Sequence, residues 1–453
     1  MSTKIMFLGG ANEIGANSCY LYLDGTGIII DAGLHPRKRN KDSFPHFESI
    51  NDDPTDVLLL THAHTDHIGS IPYLLKFHPH LRFISTLATR DLSEIMLADT
   101  AKILKSEIYA EFSTDSLSYY KKETLVQIHK IIEGYRYKKK LELLGRAGRT
   151  PVKIHFHHSG HILGSAAIYL ENNGKSILHT GDIQFRNQAV MAKAELPMHH
   201  VDCLIVESTN ASSLNLPEFK EERKRLARFI NKIIDSNGSV LIPSFALGKT
   251  QEILKILSNL MFKGSIPHLP IYTSGMGNRI SKIYDKYCYT VPFTSPGFEV
   301  SDIPQLPVIR KELLSAGYFK ESSLVVVPAG MMNKGTTSYS LAKKWMTISN
   351  FGISFIGWQD PESPGFSLLN SEKDKEFDFA GEKVKRKCEI ERFRFTSHAY
   401  LDDMIEFILN IKPKILFIIH GEPQSADNLA LKINELLPQT RILIPTVDKY
   451  YDI

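Results

Sequence analysis

This 453-residue chain has no disulfide framework. Its four cysteines (Cys19, Cys203, Cys288 and Cys388) stand far apart, and none makes a paired Cys-x-x-Cys spacing. That argues against a cysteine-based metal site and for reduced thiols in a cytoplasmic protein. No apolar run approaches the roughly 20 residues that cross a membrane. The longest, Ile415-Leu416-Phe417-Ile418-Ile419, has the length of a core strand. There is no cleavable leader, since Met1-Ser2-Thr3-Lys4 runs straight into the apolar Ile5-Met6-Phe7-Leu8. Internal repeats and low-complexity tracts are missing too. Neither sign of charge dominates: 54 Lys and Arg against 50 Asp and Glu leave +4, too little to argue for nucleic acid by itself. Gly248-Lys249-Thr250 ends like a nucleotide-binding loop, but Pro243 stands where that loop needs its first glycine.

What the chain does have is histidine in one place. Thr61-His62-Ala63-His64-Thr65-Asp66-His67 follows the apolar run Val57-Leu58-Leu59-Leu60. A buried strand ends there and a turn rich in metal-competent side chains begins. Neutral imidazole and carboxylate suit zinc and its first-row neighbours. His62 and His64 are two apart, so in extended chain they point the same way. Asp66 and His67 lie past the bend and can face a second ion. A surface turn that happens to be rich in histidine is the plain alternative, and the position directly after an apolar strand argues against it.

The pattern His62-x-His64-x-Asp66-His67 resembles the signature of the metallo-β-lactamase superfamily. Further stretches resemble its other motifs, in the right order: Asp31 in Ile30-Asp31-Ala32-Gly33, His161 in Ser159-Gly160-His161, and Asp182 in Thr180-Gly181-Asp182. Later stretches are similar to motifs of the β-CASP branch, whose members are nucleases. Glu207-Ser208-Thr209 resembles its acidic motif A, Thr396-Ser397-His398-Ala399 its motif B, and Ile419-His420-Gly421 its motif C. Pro243 to Glu252 and Pro328 to Met332 resemble further signatures of the branch. The likeness is greatest to the nuclease subunit of the pre-mRNA 3′-end cleavage complex and its prokaryotic relatives. One departure stands out: motif B often continues to a carboxylate where this chain has Tyr400, which puts the support of His398 in question.

The pattern along the chain fits that resemblance. Residues 1 to about 85 read as short strands, 91–147 as helix, and 151–206 as strands again (152–157, 166–170, 176–179, 202–206). This order predicts two sheets face to face with helices outside, the superfamily's αββα sandwich. From about 210, helices at 216–237 and 251–262 alternate with buried strands at 239–242, 271–272, 324–327 and 354–356. That alternation predicts a parallel sheet covered on both faces. Phe393-Arg394-Phe395 and the strand at Ile415 resume a β pattern to the C-terminus. The expected architecture is α/β: a metallo-β-lactamase sandwich at 1–208 and 395–453, with an inserted α/β β-CASP domain at 209–394.

The resemblance implies a ligand set. One metal takes His62, His64 and His161, the other takes Asp66, His67 and His420, and Asp182 bridges them. Asp31 fixes a ligand imidazole or the nucleophile. Two zinc ions are implied, with manganese the alternative, and they activate a hydroxide that attacks a phosphodiester. Asp31, Asp66 and Asp182 are thus catalytic as well as structural. His398 is left over as the candidate general acid, and Glu207 as the partner that keeps it protonated. Pro36-Arg37-Lys38-Arg39 follows the Asp31 strand, so Arg37, Lys38 and Arg39 are expected on the rim, steering phosphates. Gly330, Met331 and Thr336 precede a helix and read either as a phosphate cradle or as a simple N-cap. The expected enzyme is a ribonuclease whose substrate, single-stranded RNA, lies between the two domains. Three alternatives stay open: a DNA nuclease of the same branch, a small-molecule metallo-hydrolase, and a metal-free RNA-binding scaffold. His420 at motif C favours RNA over DNA. Whether cutting is internal or from an end, and the oligomeric state, are not encoded in these motifs.

Overall fold

Along the strand Val152–His158, Val152, Ile154 and Phe156 turn inward while Lys153, His155 and His157 face out. Alternate side chains of a strand lie on opposite faces, so this strand must bury one face against another layer. The computed structural model describes residues 3–105, 118–213, 216–308 and 321–453. It divides into two compact units. One comprises Met1–Arg186, Lys193–Leu214 and Ser397–Ile453; the other comprises Asn187–Ala192 and Asn215–Thr396.

The first unit holds two seven-stranded sheets. One runs, in spatial order, Tyr450–Asp452, Thr3–Gly9, Ser18–Leu23, Thr26–Ile30, Val57–Leu59, Arg82–Thr86 and Ile132–Tyr135. The other runs Arg441–Leu443, Ile415–Ile419, Cys203–Glu207, Lys175–His179, Ala166–Asn172, Val152–His158 and Leu141–Leu143. In the order given, the first passes from antiparallel to parallel pairing and the second from parallel to antiparallel. Phe7, Ile28, Ile30, Val57, Phe156, Ile168, Ile205 and Phe417 are fully buried between them. Truncating one of these phenylalanines to alanine costs about 3–5 kcal/mol. The helices Leu401–Ile411 and Pro423–Leu436 cover the outer face of the second sheet through Met404, Ile408, Leu429 and Ile433. On the first sheet the helix Leu87–Leu104 packs against Arg82–Thr86 and Ile132–Tyr135. The result is the αββα sandwich expected from the motifs.

Two expectations fail. The stretch 91–147 is not helical throughout. The helix Leu87–Leu104 and the shorter Lys122–Ile131 are there, and residues 106–117 lie outside the described residues. Ile132–Tyr135 and Leu141–Leu143 are strands. Pairing overrides local propensity here: Ile132 and Tyr135 lie opposite Phe83 and Thr86, and Leu141 lies opposite Ile154. The C-terminal stretch is likewise not a run of β structure. Two helices separate its strands, and the strand Glu389–Phe393 joins the sheet of the second unit, parallel to Gly352–Ile356.

The second unit is built on six parallel strands in the order Leu306–Pro307, Ile271–Thr273, Leu324–Val327, Val240–Pro243, Gly352–Ile356 and Glu389–Phe393. The central three are buried at every residue, so they read as unbroken apolar runs. Phe219–Ile234 and Lys249–Phe262 pack on the sheet, as does Thr337–Trp345 through Leu341 and Trp345. The short segment Asn187–Ala192 belongs here because buried Glu252 accepts the backbone N–H groups of Ala189, Val190 and Met191 at 2.5–3.0 Å. Among the described residues no helix is long and apolar enough to cross a membrane. All four cysteines are buried free thiols.

Candidate metal centre

In parallel sheets the loops leaving the carboxyl ends of strands converge, and functional groups gather there. Both sheets of the first unit obey this. Asp31 follows Thr26–Ile30, the His62–His67 turn follows Val57–Leu59, and Asp182 follows Lys175–His179. Glu207 ends Cys203–Glu207, and His420 follows Ile415–Ile419. His161 comes from the loop after Val152–His158. Asp31 and His420 take φ of +62° and +49°. Asp and His are among the few side chains that visit this region, at a cost of ~1–3 kcal/mol. Gly33 is required for close approach, since a Cβ there would lie 1.7 Å from the carbonyl oxygen of Asp66.

Seven donors meet in this space. His62 Nε2 and His161 Nε2 lie 3.1 and 3.0 Å from His64 Nδ1. Ligand atoms on one tetrahedral zinc, at bonds of 2.0–2.1 Å, stand about 3.3 Å apart, so the three nitrogens fit one ion. Asp182 Oδ2 faces this trio at 3.5 Å from both His62 Nε2 and His161 Nε2. Its other oxygen, Oδ1, lies 3.4 Å from His67 Nε2 and 3.4 Å from His420 Nδ1. Asp66 Oδ2 completes the second group, 3.2 Å from His420 Nε2 and 3.7 Å from His67 Nε2. Asp182 Oδ1 is buried and makes no well-formed hydrogen bond among the described residues, its polar neighbours being His67 Nε2 and His420 Nδ1 at 3.4 Å. A buried carboxylate oxygen without a well-formed hydrogen bond is costly unless a cation meets it.

The protonation states suit ligands. Burial, above all, holds His62 and His161 far below the usual histidine range and brings His64 down to about 4. These imidazoles are therefore neutral, with lone pairs available. His67 goes the other way. Burial opposes its charge, but the carboxylates of Asp182, Asp66 and Asp31 outweigh burial and hold it well above the usual range. For Asp66 and Asp182 burial again opposes, and the charges of His67 and His420 win, keeping both carboxyls well below theirs. A proton on His67 here occupies the place of a cation.

A second layer fixes the donors. Asp31 Oδ2 accepts from His67 Nδ1 at 2.7 Å and from Thr61 Oγ1 at 2.6 Å, while Oδ1 accepts the N–H of Thr61 at 2.8 Å. With Nδ1 held by Asp31, His67 points Nε2 toward Asp182, and a metal ion bound there would take the place of the Nε2 proton. His161 Nδ1 donates to the carbonyl of Ser397 at 2.9 Å, to the same end. Thr209 Oγ1 lies 3.1 Å from His420 Nδ1. Asp31→Asn tests this layer. Its single oxygen is needed by the N–H of Thr61, so its amide N–H₂ faces His67 Nδ1 and drives the proton onto Nε2. Metal affinity is expected to fall about 10–100-fold, read by competition with a chelator.

Glu207 and His398 sit beside this group. Both Glu207 oxygens lie 2.9–3.0 Å from His398 Nδ1, and Oε1 also accepts the N–H of Ile183 at 2.8 Å. Glu207 is buried, whereas the His398 side chain is 20% exposed. Asp182, Glu207, His398 and His420 are close enough to form a third donor group. The missing motif B carboxylate is answered indirectly. The Arg186 guanidinium stacks 3.8 Å over the Tyr400 ring and pairs with Asp403 at 2.6 Å. The N–H of Arg186 meets Gln184, whose Nε2 donates to the His398 carbonyl at 2.8 Å. Asn210 donates to that carbonyl as well, at 3.2 Å.

The expected substrate contacts differ from this picture. Arg37 pairs with Glu422 at 2.8 Å and Lys38 with Glu13 at 2.6 Å, while Arg39 donates to the Arg37 carbonyl at 2.6 Å. Glu422 lies two residues past His420, so the cluster does border the site, with its charge partly neutralised. Gly330, Met331 and Thr336 lie in the second unit. Thr336 is an N-cap, its Oγ1 accepting the N–H of Tyr339 at 3.2 Å, and Met331 accepts from the N–H of Gly365. The supporting residues Thr61, Ser397, Thr209, Gln184 and Asn210 had no signal in the sequence beyond adjacency to the motifs.

Residues 13–216 match the metallo-beta-lactamase superfamily, 250–368 the Beta-Casp domain, and 383–445 the Zn-dependent metallo-hydrolase RNA specificity domain. An RNase J-like protein of Methanocaldococcus jannaschii is 28% identical over 449 residues, covering 97% of this chain and 99% of that one. Cleavage and polyadenylation specificity factor 73 of Drosophila melanogaster is 28% identical over 436 residues, covering 95% of this chain. The chain spans 61% of the length of that fly relative. A crystal structure of a protein of unknown function from Enterococcus faecalis shares the fold over 100% of both chains, with a TM-score of 0.59 at 14% identity.

Proposed function

The chain belongs to the metallo-β-lactamase superfamily, in its β-CASP branch, and on that premise we propose that it is a two-zinc ribonuclease acting on single-stranded RNA. One observation carries the reading: the two oxygens of Asp182 face two separate donor groups, His62, His64 and His161 on one side and Asp66, His67 and His420 on the other. Two divalent ions held there would supply Lewis-acid charge for an anionic phosphodiester and an acidified water.

The chain's own groups do the rest. Asp31 and the Ser397 carbonyl hold the protons of His67 and His161 away from the ligand atoms. Glu207 holds the Nδ1 proton of His398, which leaves Nε2 as the atom that hands a proton to the leaving oxygen as the phosphorus–oxygen bond breaks. Water is thereby added across one phosphodiester, giving one phosphate end and one hydroxyl end. The RNA specificity match at 383–445 and the ribonuclease names of the relatives support RNA as substrate. The protein purified without chelator is expected to carry close to two transition-metal ions per chain by elemental analysis. No bound metal, with no uptake on zinc addition, sinks the hydrolase reading.

A further inference from the structure

The second unit presents a surface that the metal centre does not use. The strands Val240–Pro243, Leu324–Val327 and Gly352–Ile356 lie side by side and in parallel, so the loops leaving them at Ser244, Pro328 and Gly357 emerge at one edge of the sheet. They are close there: a Cβ on Gly330 would lie 3.7 Å from ring carbon Cδ2 of Phe245. Phe245 is 38% exposed and Trp358 is 48% exposed. The chain has one other tryptophan, Trp345, which is only 1% exposed in the core of this unit. Gly357 takes φ of +95°, and a Cβ there would meet nothing within 4 Å, so the space over this backbone position is open.

Charge accompanies the ring. Arg392 Nε donates to the carbonyl of Gly357 at 3.0 Å, at the root of the Trp358 loop. Arg392 and Arg394 are two apart at the end of an edge strand, so they share a face about 6.6 Å apart. Neither forms an ion pair with a carboxylate among the described residues. Burial first, and the charge of Arg394 second, lower the pKa of Arg392, so an anion there is favoured. Of the nearby acids, buried Glu222 accepts the backbone N–H of Arg394 at 2.6 Å and pairs with Arg225, and the side chains of the other two are engaged away from the two guanidinium groups. Asp360 Oδ1 accepts the N–H of Glu362 at 2.8 Å, and Glu391 pairs with Arg225 on the opposite face at 2.8 Å. A half-exposed ring one residue from the carbonyl that Arg392 holds, with Arg394 two positions further along the chain, combines a stacking face with cations whose side chains form no ion pair among the described residues, as single-strand binding requires.

We propose that Trp358 is a stacking platform for a base of single-stranded RNA, with Arg392 and Arg394 taking the adjacent phosphates. The proposal rests on the ribonuclease reading for its choice of strand. A base locked in a duplex cannot offer its face, so duplex RNA is excluded from the platform.

The test uses the full chain with His398→Ala to prevent cutting, and a short dye-labelled single-stranded RNA read by anisotropy. Trp358→Ala is expected to raise Kd roughly tenfold, and Trp358→Phe to stay within about twofold of the parent. Arg392→Gln and Arg394→Gln should each reduce the salt slope of binding by about one. Tryptophan emission should be quenched by the single strand and not by the matched duplex. Parent-like affinity in Trp358→Ala, or equal quenching by duplex, overturns the platform. If Trp358→Ala fails to fold by thermal melt, the quenching and the arginine variants still decide. RNA bound but never cut by the unmodified protein removes the nuclease reading and leaves the platform standing. RNA cut equally well by Trp358→Ala and by the unmodified protein, at limiting substrate, does the reverse.

Discussion

Asp182→Ala is expected to leave the chain with one ion or fewer and to lower RNA cleavage on the order of a thousandfold or more. The reason is geometric. One carboxylate faces both donor groups, at 3.5 Å from His62 and His161 and at 3.4 Å from His67 and His420. If Asp182 bridges two ions as proposed, removing it would take a ligand from each and the negative charge that lets two cations lie close together. Elemental analysis and a cleavage time course on the same preparation read both effects. A variant that keeps both ions shows that Asp182 does not bridge.

His398→Ala is expected to separate activity from metal content. Loss of a general acid costs roughly 10²–10⁴-fold in rate, while the seven proposed ligands remain. The separation matters because His398 also belongs to a donor group with Asp182, Glu207 and His420. If the alanine variant loses an ion, His398 is a ligand and the acid assignment fails. If it keeps both ions and loses rate, Glu207→Gln should follow it, since an amide cannot anchor the Nδ1 proton through either oxygen as Glu207 does at 2.9–3.0 Å.

The site was more legible in the sequence than the fold around it. His62, His64, Asp66 and His67 announce themselves because four donors fall within six residues after an apolar strand. Asp31, His161, Asp182 and His420 each look ordinary alone and gain meaning only from their order. Thr61 and Asn210 are invisible in the same way as any polar residue: their partners, Asp31 and His398, lie 30 and 188 positions away. The strand Ile132–Tyr135 fails for a related reason. Its pairing with Arg82–Thr86 is long-range, whereas helical spacing is read locally. Glu389–Phe393 shows the same limit, since nothing local says which sheet an isolated β segment will join. The pairing of the basic run Arg37-Lys38-Arg39 was not legible either, because the acids that pair with it, Glu422 and Glu13, are not its neighbours in sequence.

The most direct measurement is cleavage of one single-stranded RNA, labelled separately at each end, beside DNA of the same sequence at matched salt. It is run with protein as purified, after chelation, and after zinc is restored. A two-metal ribonuclease cuts the RNA, stops on chelation, recovers with zinc and cuts the DNA more slowly. Intact RNA in the presence of two bound ions, or a clear preference for DNA, contradicts it.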